Sequence, residues 1–155
     1  MPLSVELSAV LDASRVLILE SSTKDDTLKA LIDCLSTASE VKNPKELYDA
    51  IFYREQLMST GIGMGIGVPH VRLDSVEKPV MCVGICRKPI TDYESLDGQP
   101  VRLIFMIAAG KEQHAQYLRL LSSLSSKLKD VQLYDALVNA PNGEEFYRIL
   151  VQEDI

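Results

Sequence analysis

Val80-Met81-Cys82-Val83-Gly84-Ile85-Cys86 is an uninterrupted apolar run, and Val101 to Ile107 nearly matches it, broken only by Arg102. A strand with one face in water alternates polar and apolar residues. These runs do not alternate, so each reads as a central strand covered on both faces, and layers must lie above and below the sheet. The covering elements are legible on either side. Toward the N-terminus, Ser4 to Leu11 predicts a short helix and Arg15 to Leu19 a strand. Thr23 with Asp26 three residues on starts a helix whose Leu28, Leu31, Ile32 and Leu35 fall at 3.6-residue spacing. Asn43 as N-cap, Pro44 at the first helical position and Glu46 at the third start another, which ends near Ser59. Between the two runs, a loop carries Pro89 and the turn residues Asp97-Gly98. Toward the C-terminus, Glu112 to Leu128 predicts a long helix with an apolar stripe of Tyr117, Leu118, Leu121, Leu124 and Leu128. Helices at Leu133 to Val138 and Glu144 to Val151 follow, parted by Pro141-Asn142-Gly143. Alternating helices and strands define an α/β fold.

The chain has 155 residues, which corresponds to one domain at roughly 150 residues each. Its 46% hydrophobic and 25% charged residues are those of an ordinary globular protein. A net charge of −6 without any basic run disfavours nucleic acid and anionic membrane surfaces as partners. No apolar stretch approaches the roughly 20 residues of a membrane span. Met1-Pro2-Leu3-Ser4-Val5-Glu6 lacks the basic start and apolar stretch of a signal peptide, and three cysteines cannot all pair, so the cytoplasm is the expected location. Cys34, Cys82 and Cys86 have no C-x-x-C spacing and read as core residues.

Ser59-Thr60-Gly61-Ile62-Gly63-Met64-Gly65-Ile66-Gly67-Val68-Pro69-His70 holds four of the eight glycines. Read as one strand, it leaves a bare glycine face that something packs against closely, with Ile62, Met64, Ile66 and Val68 on the other face. It fits neither G-x-G-x-x-G nor a P-loop. His70 then stands at the strand's rigid end, held extended by Pro69. A neutral imidazole is a nucleophile that can take a phosphoryl group as a still reactive phosphoramidate; the alternative is a histidine that only hydrogen-bonds there.

Arg54-Glu55, Ser59-Thr60-Gly61-Ile62-Gly63, Gly65 and Pro69-His70 together resemble the signature of the enzyme IIA domains of the fructose, mannitol and nitrogen-regulatory type, from the bacterial phosphoenolpyruvate-dependent phosphotransferase system. Leu96-Asp97-Gly98-Gln99-Pro100-Val101, Leu103-Ile104-Phe105 and Leu118-Arg119-Leu120-Leu121 extend the likeness over nearly the whole chain, as a single domain spanning 1–155. The resemblance implies a mixed β-sheet sandwiched between helical layers. It implies that His70 accepts phosphate from the histidine-containing phosphocarrier protein and passes it to a IIB component of sugar transport. A nitrogen-type regulatory protein, acting on regulatory protein targets by phosphorylation-dependent binding, is the alternative output.

The resemblance also sets Arg54 beside His70, where a guanidinium neutralises the oxygens of the transferring group. Thr60 and the amides near Gly61 are candidate donors to the same group, and Glu55 a candidate to orient Arg54 or one ring nitrogen. Three departures stand out. Gly67 occupies a place where many members have alanine, Ala109-Gly110 one where proline is common, and Tyr117 that of a second family histidine. His114, one turn before Tyr117, is the candidate to replace it. Such transfer needs no cofactor and no metal. A metal site built from His70, His114, Asp74 or Glu112 lacks compact ligand spacing; a serine hydrolase lacks its nucleophile elbow; and an interaction module that has lost phosphorylation is at odds with intact Arg54, Thr60 and His70.

Overall fold

A computed structural model of the chain describes residues 7–152. The first helix, α1, runs over Leu7–Val10; the part of its expected span at Ser4 to Glu6 lies outside the described residues. Strand β1 (Val16–Leu19) precedes helices α2 (Lys24–Leu35) and α3 (Pro44–Leu57). Both helices start as their caps dictate. The Thr23 side chain accepts from the Asp26 amide and that of Asn43 from the Glu46 amide, satisfying amides that lack an intrahelical partner.

Short strands β2 (Gly61–Gly63), β3 (Ile66–Gly67) and β4 (His70–Arg72) lead to the long β5 (Val80–Ile90) and β6 (Val101–Ala109). Helices α4 (His114–Leu128), α5 (Val131–Val138) and α6 (Gly143–Gln152) complete the fold. The sheet order is β1-β5-β6-β3-β2, with β4 also on β6. The β5–β6 and β2–β3 pairs are antiparallel; β1 on β5, and β3 and β4 on β6, are parallel. The sheet is mixed and lies between helical layers. Successive residues of β6 show why its polar alternation is missing. Leu103, Phe105 and Ile107 enter the core beneath α4 and α6, while Ile104, Met106 and Ala108 enter the core with Leu28, Leu31, Leu47 and Ile51 of α2 and α3.

Three local expectations are corrected. Pro89 belongs to β5 rather than to the loop, at a register shift between Ile85 and Ile90 where a missing amide is tolerated. The buried stripe of α4 is Tyr117, Leu120, Leu124 and Leu128; Leu118 is about half exposed, one step around the helix. The glycine-rich stretch is not one strand. Gly63, Met64 and Gly65 all have positive φ (99°, 58° and 77°), which folds β2 back on β3 as a hairpin.

Candidate functional site

The hairpin and the following Val68-Pro69 step deliver His70. β3 pairs with Leu103 and Ile104, β4 with Ile107 to Ala109, so two short strands share one edge of β6. Residue 70 therefore opens β4 rather than closing a glycine strand. Its Nδ1 lies 2.5 Å from the Val68 carbonyl oxygen. A carbonyl can only accept, so Nδ1 carries the proton and the neutral ring keeps its lone pair on Nε2. Burial holds the imidazole pKa below its ordinary 6.5; the charge of Arg54 acts the same way, while the Val68 hydrogen bond and Glu55 oppose it.

Arg54 reaches the site from the last turn of α3, its Nη1 donating to the Met58 carbonyl at 2.7 Å. That contact ties a cation across a helix C-terminus, where the dipole favours it. The Tyr117 ring packs on the imidazole with centroids 5.4 Å apart, and the Arg72 guanidinium carbon lies 5.9 Å from the Tyr117 centroid. Arg54, His70, Arg72, Lys111 and Tyr117 line a depression of about 500 Å³. Three cations thus share one depression with the imidazole, Lys111 also pairing with Asp74 at 3.6 Å. An adjoining, more apolar cavity of about 340 Å³ is shared by Arg54 and His70 with Met58, Ile62, Leu96 and Leu121.

The remaining expected residues divide. Thr60 is buried, and its amide (3.2 Å) and hydroxyl both engage the Glu55 carboxylate. Glu55 is also ion-paired to Lys24 at 2.9 Å. In place of the expected direct hold on Arg54 or the imidazole, its carboxylate grips Thr60. The Gly61 amide is directed to the Ser59 hydroxyl, 3.4 Å away. A Cβ on Gly61 would collide with the Glu94 carbonyl oxygen, so glycine there admits the neighbouring loop. His114 is exposed on the first turn of α4 and lines neither cavity, whereas Tyr117 faces His70. No sequence motif singles out Arg72 or Lys111. Period two along a strand places residues 70 and 72 on one face, a signal that was available. Lys111 is brought near by Arg72 pairing with Ala109, which only the sheet register reveals.

Among the described residues, no group of three or more His, Cys, Asp or Glu comes together in a way that would hold a metal ion. None of the described helices is long and apolar enough to cross a membrane. Cys82 and Cys86 are buried, and burial pushes both thiols up, Cys86 to about 12.

Comparison with known proteins agrees with this fold. Residues 9–153 match the family described as phosphoenolpyruvate-dependent sugar phosphotransferase system, EIIA 2, and the chain belongs to it. It is 36% identical over 136 residues to a fructose-specific EIIABC component of Bacillus subtilis, covering 88% of this chain but about a fifth of that one (21%). A fructose-specific EIIA component of Haloferax volcanii is 33% identical, with 84% of each chain covered. A nitrogen regulatory protein of Pseudomonas aeruginosa is 28% identical over 95% of this chain and 96% of its own. Among solved structures, nitrogen regulatory protein IIA-Ntr of Neisseria meningitidis superposes with a TM-score of 0.85 at 26% identity, covering 93% of this chain and 98% of that one. IIA mannitol of Escherichia coli gives 0.75 at 25% identity, covering 90% and 97%.

Proposed function

We propose that this chain is a phosphohistidine carrier that takes a phosphoryl group from the histidine-containing phosphocarrier protein onto His70 and hands it to a IIB component. The observation that carries this reading is the Nδ1–H to Val68 carbonyl bond, which leaves Nε2 as the free nucleophile at a depression that Arg54, Arg72 and Lys111 also line. In the transfer, the Nε2 lone pair attacks phosphorus in line, and the donor's P–N bond breaks with its electron pair returning to the donor imidazole. The phosphorylated ring becomes an imidazolium, whose Nδ1–H strengthens its bond to Val68. Arg54, Arg72 and Lys111 neutralise the phosphoryl oxygens. Both partners must reach one atom, so their docking surfaces overlap and exchange rapidly; the apolar side chains of Met58, Ile62 and Leu96 rim that surface.

The test is intact mass after incubation with phosphoenolpyruvate, enzyme I and the phosphocarrier. Wild type gains about 80 Da in an acid-labile form, and His70→Ala does not. No gain with these donors leaves an interaction module without phosphorylation.

A nitrogen-type regulatory output is the second reading, favoured by near-complete mutual coverage with two nitrogen regulatory proteins. A purified IIB domain separates the two. Loss of the label to IIB supports transport, and a label that persists supports regulation.

A further inference from the structure

Behind the imidazole lies a buried polar chain that the transfer step does not touch. Glu55, Thr60 and Tyr93 are 8%, 4% and 1% exposed. The Glu55 carboxylate, paired with Lys24, can only accept, so the Thr60 hydroxyl donates to it. That hydroxyl's single proton is then spent, so across the 2.6 Å separation it is the Tyr93 hydroxyl that donates to Thr60. Burial pushes the Tyr93 phenol up, which keeps this donor protonated. Lys24 caps the assembly, its ammonium 4.4 Å from the Tyr93 ring centroid. The chain continues to the site through the backbone. The Thr60 carbonyl accepts the Val68 amide at 3.0 Å, and the Val68 carbonyl holds Nδ1 of His70. Tyr93 reaches Thr60 by passing Gly67, where a Cβ would lie 2.8 Å from the ring tip.

Resting on the carrier reading, we propose that Tyr93 is a positioning residue for His70: entering through the gap at Gly67, its hydroxyl fixes Thr60, and Thr60 fixes the Val68 peptide that sets the imidazole's tautomer and aim. Gly67 and Tyr93 then form a matched pair. A methyl group at 67 displaces the ring tip and breaks the same bond that Tyr93→Phe removes.

The experiment uses the full chain with Tyr93→Phe, Gly67→Ala and the double variant. Two-dimensional 15N–1H spectra of the unphosphorylated protein report the His70 tautomer, and the kinetics of His70 phosphorylation by the phosphocarrier give kcat and KM separately. Wild type shows the Nδ1–H tautomer. Tyr93→Phe keeps the wild-type fold by circular dichroism but mixes the tautomers and lowers kcat about fivefold with KM unchanged, the size of one neutral hydrogen bond. Gly67→Ala does the same, and the double variant loses no more than Gly67→Ala alone. A wild-type tautomer and kcat in Tyr93→Phe overturn the proposal, as do losses that add in the double variant. The tautomer spectrum needs no phosphoryl transfer, so it tests this positioning role even where the carrier reading fails.

Discussion

A histidine becomes a phosphoryl acceptor by being kept neutral and aimed. Half-burial lowers the pKa of His70 and the Val68 carbonyl fixes its proton on Nδ1, so the nucleophilic form persists below the usual 6.5. The acid limb of the pH–rate profile for phosphorylation therefore lies below 6.5, with a flat rate above it; an inflection above 6.5 would contradict this. The folding linkage has the same cause. A depressed base binds fewer protons folded than unfolded, so this group's stabilising contribution is present above the unfolded value and fades as pH falls through it. In the proposed transfer, Arg54 acts on the phosphoryl group rather than on the imidazole. Its guanidinium is anchored on Met58 and presented to the depression, so Arg54→Ala lowers the transfer rate about 100-fold, read from the time course of the mass gain, with little change in thermal midpoint. An unchanged rate would place the neutralising charge on Arg72 and Lys111 alone.

The hairpin β2–β3 sets these side chains by bending sharply, and it does so at one residue that is ill suited to the bend. Met64 has φ 58° without being glycine, and its amide is held by the Asp97 carboxylate at 2.9 Å. Asn tolerates this conformation better, and the Met64 side chain is about half exposed, so Met64→Asn raises stability by about 0.5 kcal/mol, seen as a higher urea midpoint. A lower midpoint would mean that the Met64 side chain does more than occupy the turn. What was legible from the sequence divides along this line. Helix α3 was read correctly from Asn43 and Pro44 because capping is settled within four residues. The hairpin was not, because alternating glycine looks like a strand until Asp97, thirty-three residues away, claims the Met64 amide. Likewise, Gly61 and Gly67 are glycine because of Glu94 and Tyr93, in a loop that no local pattern connects to them.

Across the whole molecule, the mixed sheet is the part that sequence pattern and structure share most fully. The unalternating runs at Val80 and Val101 predicted two covered faces, and β6 indeed feeds both cores. His70, Arg54 and Thr60 were found through the family signature, and the fold brings them within one neighbourhood. Arg72 and Lys111 join them only once β4 is registered against the end of β6. The sheet thus carries His70 on its edge, the helix before it supplies one cation, and the loop leaving β6 supplies another. On the proposed carrier reading, such a centre holds one phosphoryl group at one atom. The most direct test is NMR of the phosphorylated protein with 15N-labelled histidine, which identifies the nitrogen that carries phosphorus. The expected result is a single Nε2-phosphohistidine at His70; phosphorus on Nδ1, on His114, or on neither histidine would contradict the account.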